Sequence, residues 1–404
     1  MAGPVALTTP STLPRLAVIT DGDVKHDSRG AGRTLVNLLE RWPVDRLLIA
    51  TTASGQPSLD EHGHRVIQVG GWLPGGMASR LSPLVGDAQT LWAQWRPLPG
   101  RAELLAFAPE LVLVVPSTAP ALVWGERMAR ALGRPVVTYL MDEWMNEPKW
   151  LGGNAIDSTR ALLRASAGWL AISPSLAERL PNMARLQRPL QVVHNPVTLD
   201  STPPAALAAP RTGPYRIAYA GSVWPMHADA IRLVAESVAR LRARGLDMRL
   251  VLHTDDYFWS TGAAEWTALG VEWGGLVPYR DLRTKLGEYD LLLVASSFAP
   301  EHAALSRSSL QTKVTDYLSV GRPILACGPA FAASNRYLRD HRCAWLLEST
   351  TPAVADDVLH RCMEHRVEGQ TMAAAGYALV AAEHEATAVT SRLYEFLTAA
   401  AARS

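Results

Sequence analysis

The sequence predicts an α/β protein made of two doubly wound domains that face a central cleft. Three observations carry that expectation. Short apolar runs rich in β-branched residues alternate along the chain with longer stretches of helical periodicity. The alternation breaks once, at residues 200–214, and then resumes. At 404 residues the chain is long enough to bury two separate cores. Runs that are apolar at nearly every position suit parallel strands covered by helices on both faces, and their regular alternation with helices marks a layered sheet.

In the first half, the strand candidates are LAVIT at 16–20, LLIA at 47–50, VIQV at 66–69, LVLVV at 111–115, VVTYL at 136–140, WLAI at 169–172 and VV at 192–193. A helical pattern through Leu35, Leu38 and Leu39 follows the first of them. The stretch DSTPPAALAAPRTGP at 200–214 is rich in proline and alanine and nearly free of charge, which is linker composition. The second half begins with RIAYAGS at 216–222 and a helix spaced by Ile231, Val234, Val238 and Leu241. RLVL at 249–252, LLLV at 291–294, PILA at 323–326 and AWLL at 344–347 continue it. The expected division is a tail at 1–14, a first domain at 15–199, a linker at 200–214 and a second domain at 215–380. A final helix within 381–404 is expected to pack back on the first domain.

Composition excludes several classes. Lys and Arg total 39 against 38 Asp and Glu, so the chain lacks the basic bias of a nucleic-acid binder. With 48% hydrophobic and 19% charged residues, it is not a disordered chain. No apolar run approaches the roughly 18–20 residues that span a bilayer. The opening MAGPVALTTPSTLP lacks the basic and apolar regions of a signal peptide. Cys327, Cys343 and Cys362 form no C-x-x-C pair, which argues against a disulfide framework or structural zinc and for a reducing compartment. A cytoplasmic location is expected. Residues 72–99 combine Trp72, Trp92 and Trp95 with Arg80 and Arg96. They read either as a packed helix and loop or as an amphipathic surface toward a lipid-linked acceptor or the inner membrane face.

Three stretches carry chemistry. After the first strand, Gly30-Ala31-Gly32 leads into a helix, an arrangement that offers backbone N–H groups to an anion or a sugar hydroxyl. Position 35 is leucine, so the dinucleotide fingerprint is incomplete and a nicotinamide oxidoreductase is disfavoured. Asp21-Gly22-Asp23 fits the paired carboxylates of a metal-dependent sugar transferase, and equally a plain acidic turn. Asp142 and Glu143 follow the strand at 136–140 as cleft carboxylates or a helix cap. The third stretch, SRSSLQTKVTDYLSVGRPILA at 306–326, is the most informative. Its serines are expected to enter a helix, with Ser308 and Ser309 offering hydroxyls and N–H groups to phosphate oxygens. Arg307 and Lys313 bring positive charge for a diphosphate leaving group. Asp316, one helical turn after Lys313, can accept hydrogen bonds from ribose hydroxyls.

Residues 312–326, TKVTDYLSVGRPILA, resemble the stretch P-x-K-x-x-E-Y-L-A-x-G-x-P-V-L-A of GT-B glycosyltransferases, in particular the retaining, nucleotide-sugar-dependent group. AISPSLAERL at 171–180, VVHNPV at 192–197, IAYAGSVWPMHADAI at 217–231 and GGLVPYRDLRTKLGEYDLLLVAS at 274–296 resemble further segments of that family in the same order. The resemblance implies two Rossmann-like domains and sugar transfer from a nucleotide diphosphate sugar without a cofactor or required metal. It implies donor contacts at Gly221, Ser222, Ser308, Ser309 and Asp316, with the nucleobase against Leu276, Val277 and Pro278. The loop at Gly30, Ala31 and Gly32 would face the acceptor, which could be a sugar, a lipid-linked group or a small molecule. Asp23, His26, Asp142 and Glu143 are the candidates for a general base.

The chain departs from the family in places. Two family glutamates fall on Ser308 and Asp316, the family's basic residue after the donor-domain glycine falls at best on His227, and a family His-Asp falls on Met141-Asp142. These changes keep open a non-catalytic scaffold of the same fold, and Asp21-Gly22-Asp23 keeps open a metal-dependent transferase using Asp21 and Asp23. Cell-surface polysaccharide, glycolipid or glycoconjugate synthesis is the setting that the family implies.

Overall fold

The computed structural model describes residues 13–22, 24, 30–52, 63–69, 92–142, 153–200, 204 and 213–403. They form two compact units, Met1–Pro196 with Ala386–Ser404, and Val197–Glu385. The chain passes from one unit to the other at Pro196, ahead of the proline-rich stretch at 200–214, most of which lies outside the described residues.

The first unit holds seven strands: β1 (Leu16–Thr20), β2 (Leu47–Thr51), β3 (Arg65–Gln68), β4 (Leu111–Val115), β5 (Val136–Leu140), β6 (Gly168–Ala171) and β7 (Leu190–Val192). Their order is β3-β2-β1-β4-β5-β6-β7, and every pairing is parallel. Strands β1, β2, β4 and β5 are buried at every position, as their unbroken apolar character requires. Helices Ala31–Leu39, Arg101–Phe107, Ala119–Leu132, Gly153–Ala165 and Pro174–Ala184 cross between the strands. The last helix of the chain, Ala386–Ala401, belongs to this unit. There Tyr394 meets Trp42 edge-on with ring centroids 4.8 Å apart.

The second unit holds β8 (Tyr215–Ala220), β9 (Met248–His253), β10 (Glu272–Trp273), β11 (Leu291–Ala295), β12 (Ile324–Cys327) and β13 (Trp345–Leu347), ordered β10-β9-β8-β11-β12-β13 and all parallel. Apolar layers cover both faces. One layer includes Ile231, Val234 and Leu359; the other includes Val314, Tyr317, Leu318 and Leu338. In each sheet the strand order reverses once, between β1 and β4 and between β8 and β11. In doubly wound sheets, ligands bind at the carboxyl ends of the strands beside that reversal.

The apolar runs read from the sequence coincide with strands to within a residue or two at each end. β10 is absent from that reading because it is only Glu272-Trp273, both exposed, and carries no apolar run. A second difference concerns the serines at 306–309. They end the helix Ala303–Ser308, with Ser309 in extended backbone, and the next helix, Lys313–Val320, begins four residues later. The serine run thus sits at a helix C-terminus, where carbonyls rather than N–H groups lie unpaired.

Leu293 lies at the middle of β11 with no exposed surface. Leu293→Ala is expected to lower the unfolding free energy by about 2–5 kcal/mol, read as an earlier midpoint in urea, because the parallel sheet around it relaxes little.

Candidate functional site

The residues that meet at the carboxyl ends of β8, β10 and β11 are set by the helix Lys313–Val320. Val314, Tyr317 and Leu318 face the core and fix its rotation. The Tyr317 hydroxyl donates to the Ala220 carbonyl at 3.2 Å and accepts from the Ala220 N–H at 2.7 Å, which pins the helix to the end of β8. Lys313 and Asp316 then fall in the first helical turn, Lys313 against Tyr219 and Gly221 and Asp316 against Tyr279. Gly321, with φ of 73°, closes the helix in a left-handed conformation that glycine adopts without strain.

Lys313 is the unusual member. Its Nζ is buried without a hydrogen-bond partner. It rests over the Tyr219 ring, 3.7 Å from the centroid. Burial drives its pKa from 10.5 down to about 7, against the opposing pull of the Asp316 carboxylate. A methyl group built on Gly221 would come 3.1 Å from Nζ, and Gly221 has φ of 130°. Glycine is therefore required twice at this turn, for its backbone and for the space the ammonium fills.

His227 lies beside this group. Its Nδ1 is 3.2 Å from the Tyr219 hydroxyl and 3.3 Å from the Ser222 carbonyl. Burial, then the Lys313 charge, lowers its pKa to about 3. It is neutral at physiological pH and adds no positive charge at the position where the family carries a base. Arg307 is exposed, its guanidinium stacked 4.5 Å over the Phe331 ring. Ser308 is fully buried and its hydroxyl bonds the carbonyls of Ala304 and Leu305, while the Ser309 N–H bonds Leu305. The Gly221 N–H bonds the His253 carbonyl at 2.9 Å. The N–H groups of Gly221 and Ser309 and the Ser308 hydroxyl, expected as phosphate donors, are thus engaged within the fold. The helix C-terminus explains the serines; the β8–β9 ladder explains Gly221.

The loop after β10 comes to the same edge. Leu276 and Pro278 are exposed and Val277 is half-buried. Pro278 precedes the helix Tyr279–Leu286, and the Tyr279 hydroxyl donates to Asp316 Oδ1 at 3.0 Å. The residues expected to meet base and ribose are therefore brought together, through a tyrosine the sequence reading did not single out. Gln311 was also missed: its Nε2 donates to the Ala295 carbonyl at 2.8 Å and to Ser296 Oγ at 3.0 Å, which holds the turn between the two helices against the end of β11. No spacing pattern in the sequence points to either contact.

In the first unit, Asp21 follows β1. Its Oδ1 accepts from the Ser117 N–H and its Oδ2 from the Thr118 hydroxyl, each at 2.7 Å. Thr118 in turn caps the helix Ala119–Leu132 through the Ala121 N–H. Asp21 is a brace between the ends of β1 and β4, and burial raises its pKa. Among the described residues, no group of three acidic, histidine or cysteine side chains is placed to hold a metal. Gly30 lies just before the helix Ala31–Leu39, whose first residues are Ala31 and Gly32. Asp142 is half-buried at the end of β5, beside the Tyr139 hydroxyl, whose pKa is raised by burial and by that carboxylate. Asp23, His26, Glu143 and residues 72–91 lie outside the described residues. Trp92 and Trp95 are exposed, with Arg96 stacked 4.9 Å over the Trp92 ring.

Solved structures share this two-sheet fold. HepE from Anabaena in complex with UDP-glucose aligns over 95% of this chain and 99% of its own, with 16% identity and a TM-score of 0.66. Sucrose-phosphate synthase from Thermosynechococcus elongatus aligns over 96% and 99%, with 14% identity and a TM-score of 0.71. The α,α-trehalose 6-phosphate synthase from Burkholderia multivorans aligns over 97% and 98%, with 13% identity and a TM-score of 0.68. No protein-family model matches the chain. No curated protein sequence matches it either. The fold is that of the GT-B glycosyltransferases.

The Lys313 ammonium opposes folding. Its folded pKa of about 7 lies below the ordinary 10.5, so the unfolded chain holds more protons between those values and stability from this residue rises with pH across that window. Lys313→Met is expected to raise the melting temperature most below pH 7, with the gain fading toward pH 10.5. Differential scanning calorimetry across that range checks it.

Proposed function

We propose that this protein transfers a glycosyl group from a nucleotide diphosphate sugar to an acceptor, with the donor held by the second unit. The observation that carries the reading is the buried Lys313 ammonium. A positive charge kept out of water with no hydrogen-bond partner is stable only at a cost. A diphosphate beside the Gly221 turn would supply the missing anion. Asp316, one turn on and tied to Tyr279 and the 276–278 loop, would accept from the ribose hydroxyls while that loop meets the base. The GT-B fold and the solved HepE complex with UDP-glucose support the same reading and make UDP-sugars the first donors to test.

In the reaction, the bond between the anomeric carbon and the diphosphate oxygen breaks, and a bond to an acceptor hydroxyl oxygen forms. The hydroxyl proton passes to the departing diphosphate oxygen or to water, and the nucleoside diphosphate carries the released negative charge. Lys313, protonated, would stabilise that charge where it develops, usually the largest catalytic contribution in such sites. Arg307, stacked and exposed, would contribute only if it left Phe331. Retention of anomeric configuration and independence of metal are part of this proposal, as is a cytoplasmic setting. The acceptor would meet the first unit around Gly30 and Asp142, and Trp92 and Trp95 would offer a contact for a lipid-linked acceptor or membrane surface. Among the described residues, no helix is long and apolar enough to cross a membrane.

A panel of nucleotide sugars assayed for donor hydrolysis is expected to show one or more substrates, with Asp316→Ala and Lys313→Met each slowing the reaction by about two orders of magnitude. Hydrolysis by Asp316→Ala at the wild-type rate for every donor would remove Asp316 from the site. A second outcome follows from the amine. Below pH 7 Lys313 is already protonated, so nucleotide diphosphate binding takes up no proton there. Above pH 7 it must take one up, and affinity falls by up to about tenfold per pH unit. Titration calorimetry at pH 8.5 in two buffers of different ionisation enthalpy reads that uptake directly, and Lys313→Met abolishes it.

A further inference from the structure

The loop that would meet the base is held from beneath by a buried histidine that the proposed reaction does not use. His253, the last residue of β9, is 2% exposed. Its Nδ1 lies 3.0 Å from the Gly274 carbonyl and 3.2 Å from the Gly275 carbonyl. Both partners are acceptors, so Nδ1 carries the proton, and in the neutral ring Nε2 must accept. It accepts from the Tyr289 hydroxyl at 2.6 Å. The Tyr289 oxygen in turn receives Nη2 of Arg216 at 3.4 Å, and that guanidinium stacks 4.5 Å over the tyrosine ring. Every donor therefore points the same way, from Arg216 on β8 through Tyr289 to the loop. The imidazole also fills the space that a Cβ at residue 274 would occupy, so Gly274 and His253 fit as a pair.

We infer that His253 is a positioning residue that shapes the 274–278 loop for the base of the nucleotide, through this one-way chain of hydrogen bonds. The inference rests on the donor-site reading above. Two loop carbonyls are taken up by the imidazole and cannot compete for the base, and the loop is held in a single conformation before ligand arrives. Preorganisation of this kind raises affinity by removing the ordering cost of binding. Burial lowers the His253 pKa, against the Gly275 and Gly274 carbonyls, which favour the protonated ring, and with smaller help from the Lys285 and Arg216 charges. The arrangement acts on the base alone, because the phosphate side of the site is built from Lys313 and Gly221.

Titration calorimetry of the full chain with UDP, GDP, ADP and TDP, and separately with inorganic pyrophosphate, tests this. The wild type is expected to bind at least one nucleotide more tightly than pyrophosphate. His253→Leu should weaken that nucleotide by about tenfold and leave pyrophosphate unchanged. His253→Asn, which keeps a donor near the place of Nδ1, should recover most of the loss. Tyr289→Phe removes only the donor to Nε2 and should give a smaller loss of the same kind; where His253→Leu fails to fold, the nucleotide-to-pyrophosphate ratio in Tyr289→Phe decides. Unchanged nucleotide affinity in His253→Leu overturns the inference and leaves the donor site standing. Equal losses for nucleotide and pyrophosphate overturn it too, since they mark a purely structural residue. A wild type with no preference for any nucleotide over pyrophosphate removes the donor-site reading, and the inference with it.

Discussion

A lysine ammonium held out of water beneath the turn that ends β8 is the interaction on which the second unit's carboxyl edge depends. Around it, four features become necessary together. Tyr219 supplies a ring face in place of solvent. Gly221 supplies space and an uncommon backbone angle. His227 stays neutral because it is buried and, secondarily, because the Lys313 charge lies beside it. Tyr317 locks the helix to Ala220 with two hydrogen bonds, which fixes the backbone that carries Lys313. Such an arrangement opposes folding, and in native proteins strain of that kind gathers where ligands bind.

The two units repeat one architecture and use its edge in opposite electrostatic senses. In the first, the group placed after the leading strand is a carboxylate, Asp21, whose oxygens are satisfied by Ser117 and Thr118. In the second, the turn after the leading strand is Gly221, and the charged group beneath it is Lys313, brought there from the helix Lys313–Val320 with no hydrogen-bond partner. The contrast separates a carboxylate whose oxygens are satisfied within the fold from an ammonium that has no hydrogen-bond partner there. The two hydrogen bonds of Asp21 join the end of β1 to the start of the helix after β4.

The loop at 274–279 is tied at both ends, by His253 at its start and by the Tyr279 contact with Asp316 at its close. Between the ties, Leu276 and Pro278 are exposed. A loop fastened in this way presents one surface to a ligand rather than many. The proposed donor site therefore divides into a charged half, built on the helix Lys313–Val320, and a half built of backbone and aromatic supports.

The doubly wound architecture was legible in the amino-acid order because a parallel strand covered on both faces must be apolar at every position, and such runs stand out. The two-residue β10 did not stand out, because an exposed edge needs no apolar side chains. Lys313 and Asp316 were legible as a charged pair in the first turn of a helix, since helical spacing alone puts them together. Their surroundings were not. That His227 is neutral, that Arg307 lies on Phe331 and that Ser308 turns inward depend on groups brought near by the fold, and no local pattern encodes those distances. His253 shows the same limit most plainly: its partners, Gly274, Gly275 and Tyr289, lie 21, 22 and 36 residues away. Periodicity, being a local property, determined the elements and their layers; desolvation and hydrogen-bond partnership arise only when distant segments meet, and the tertiary structure alone decided them.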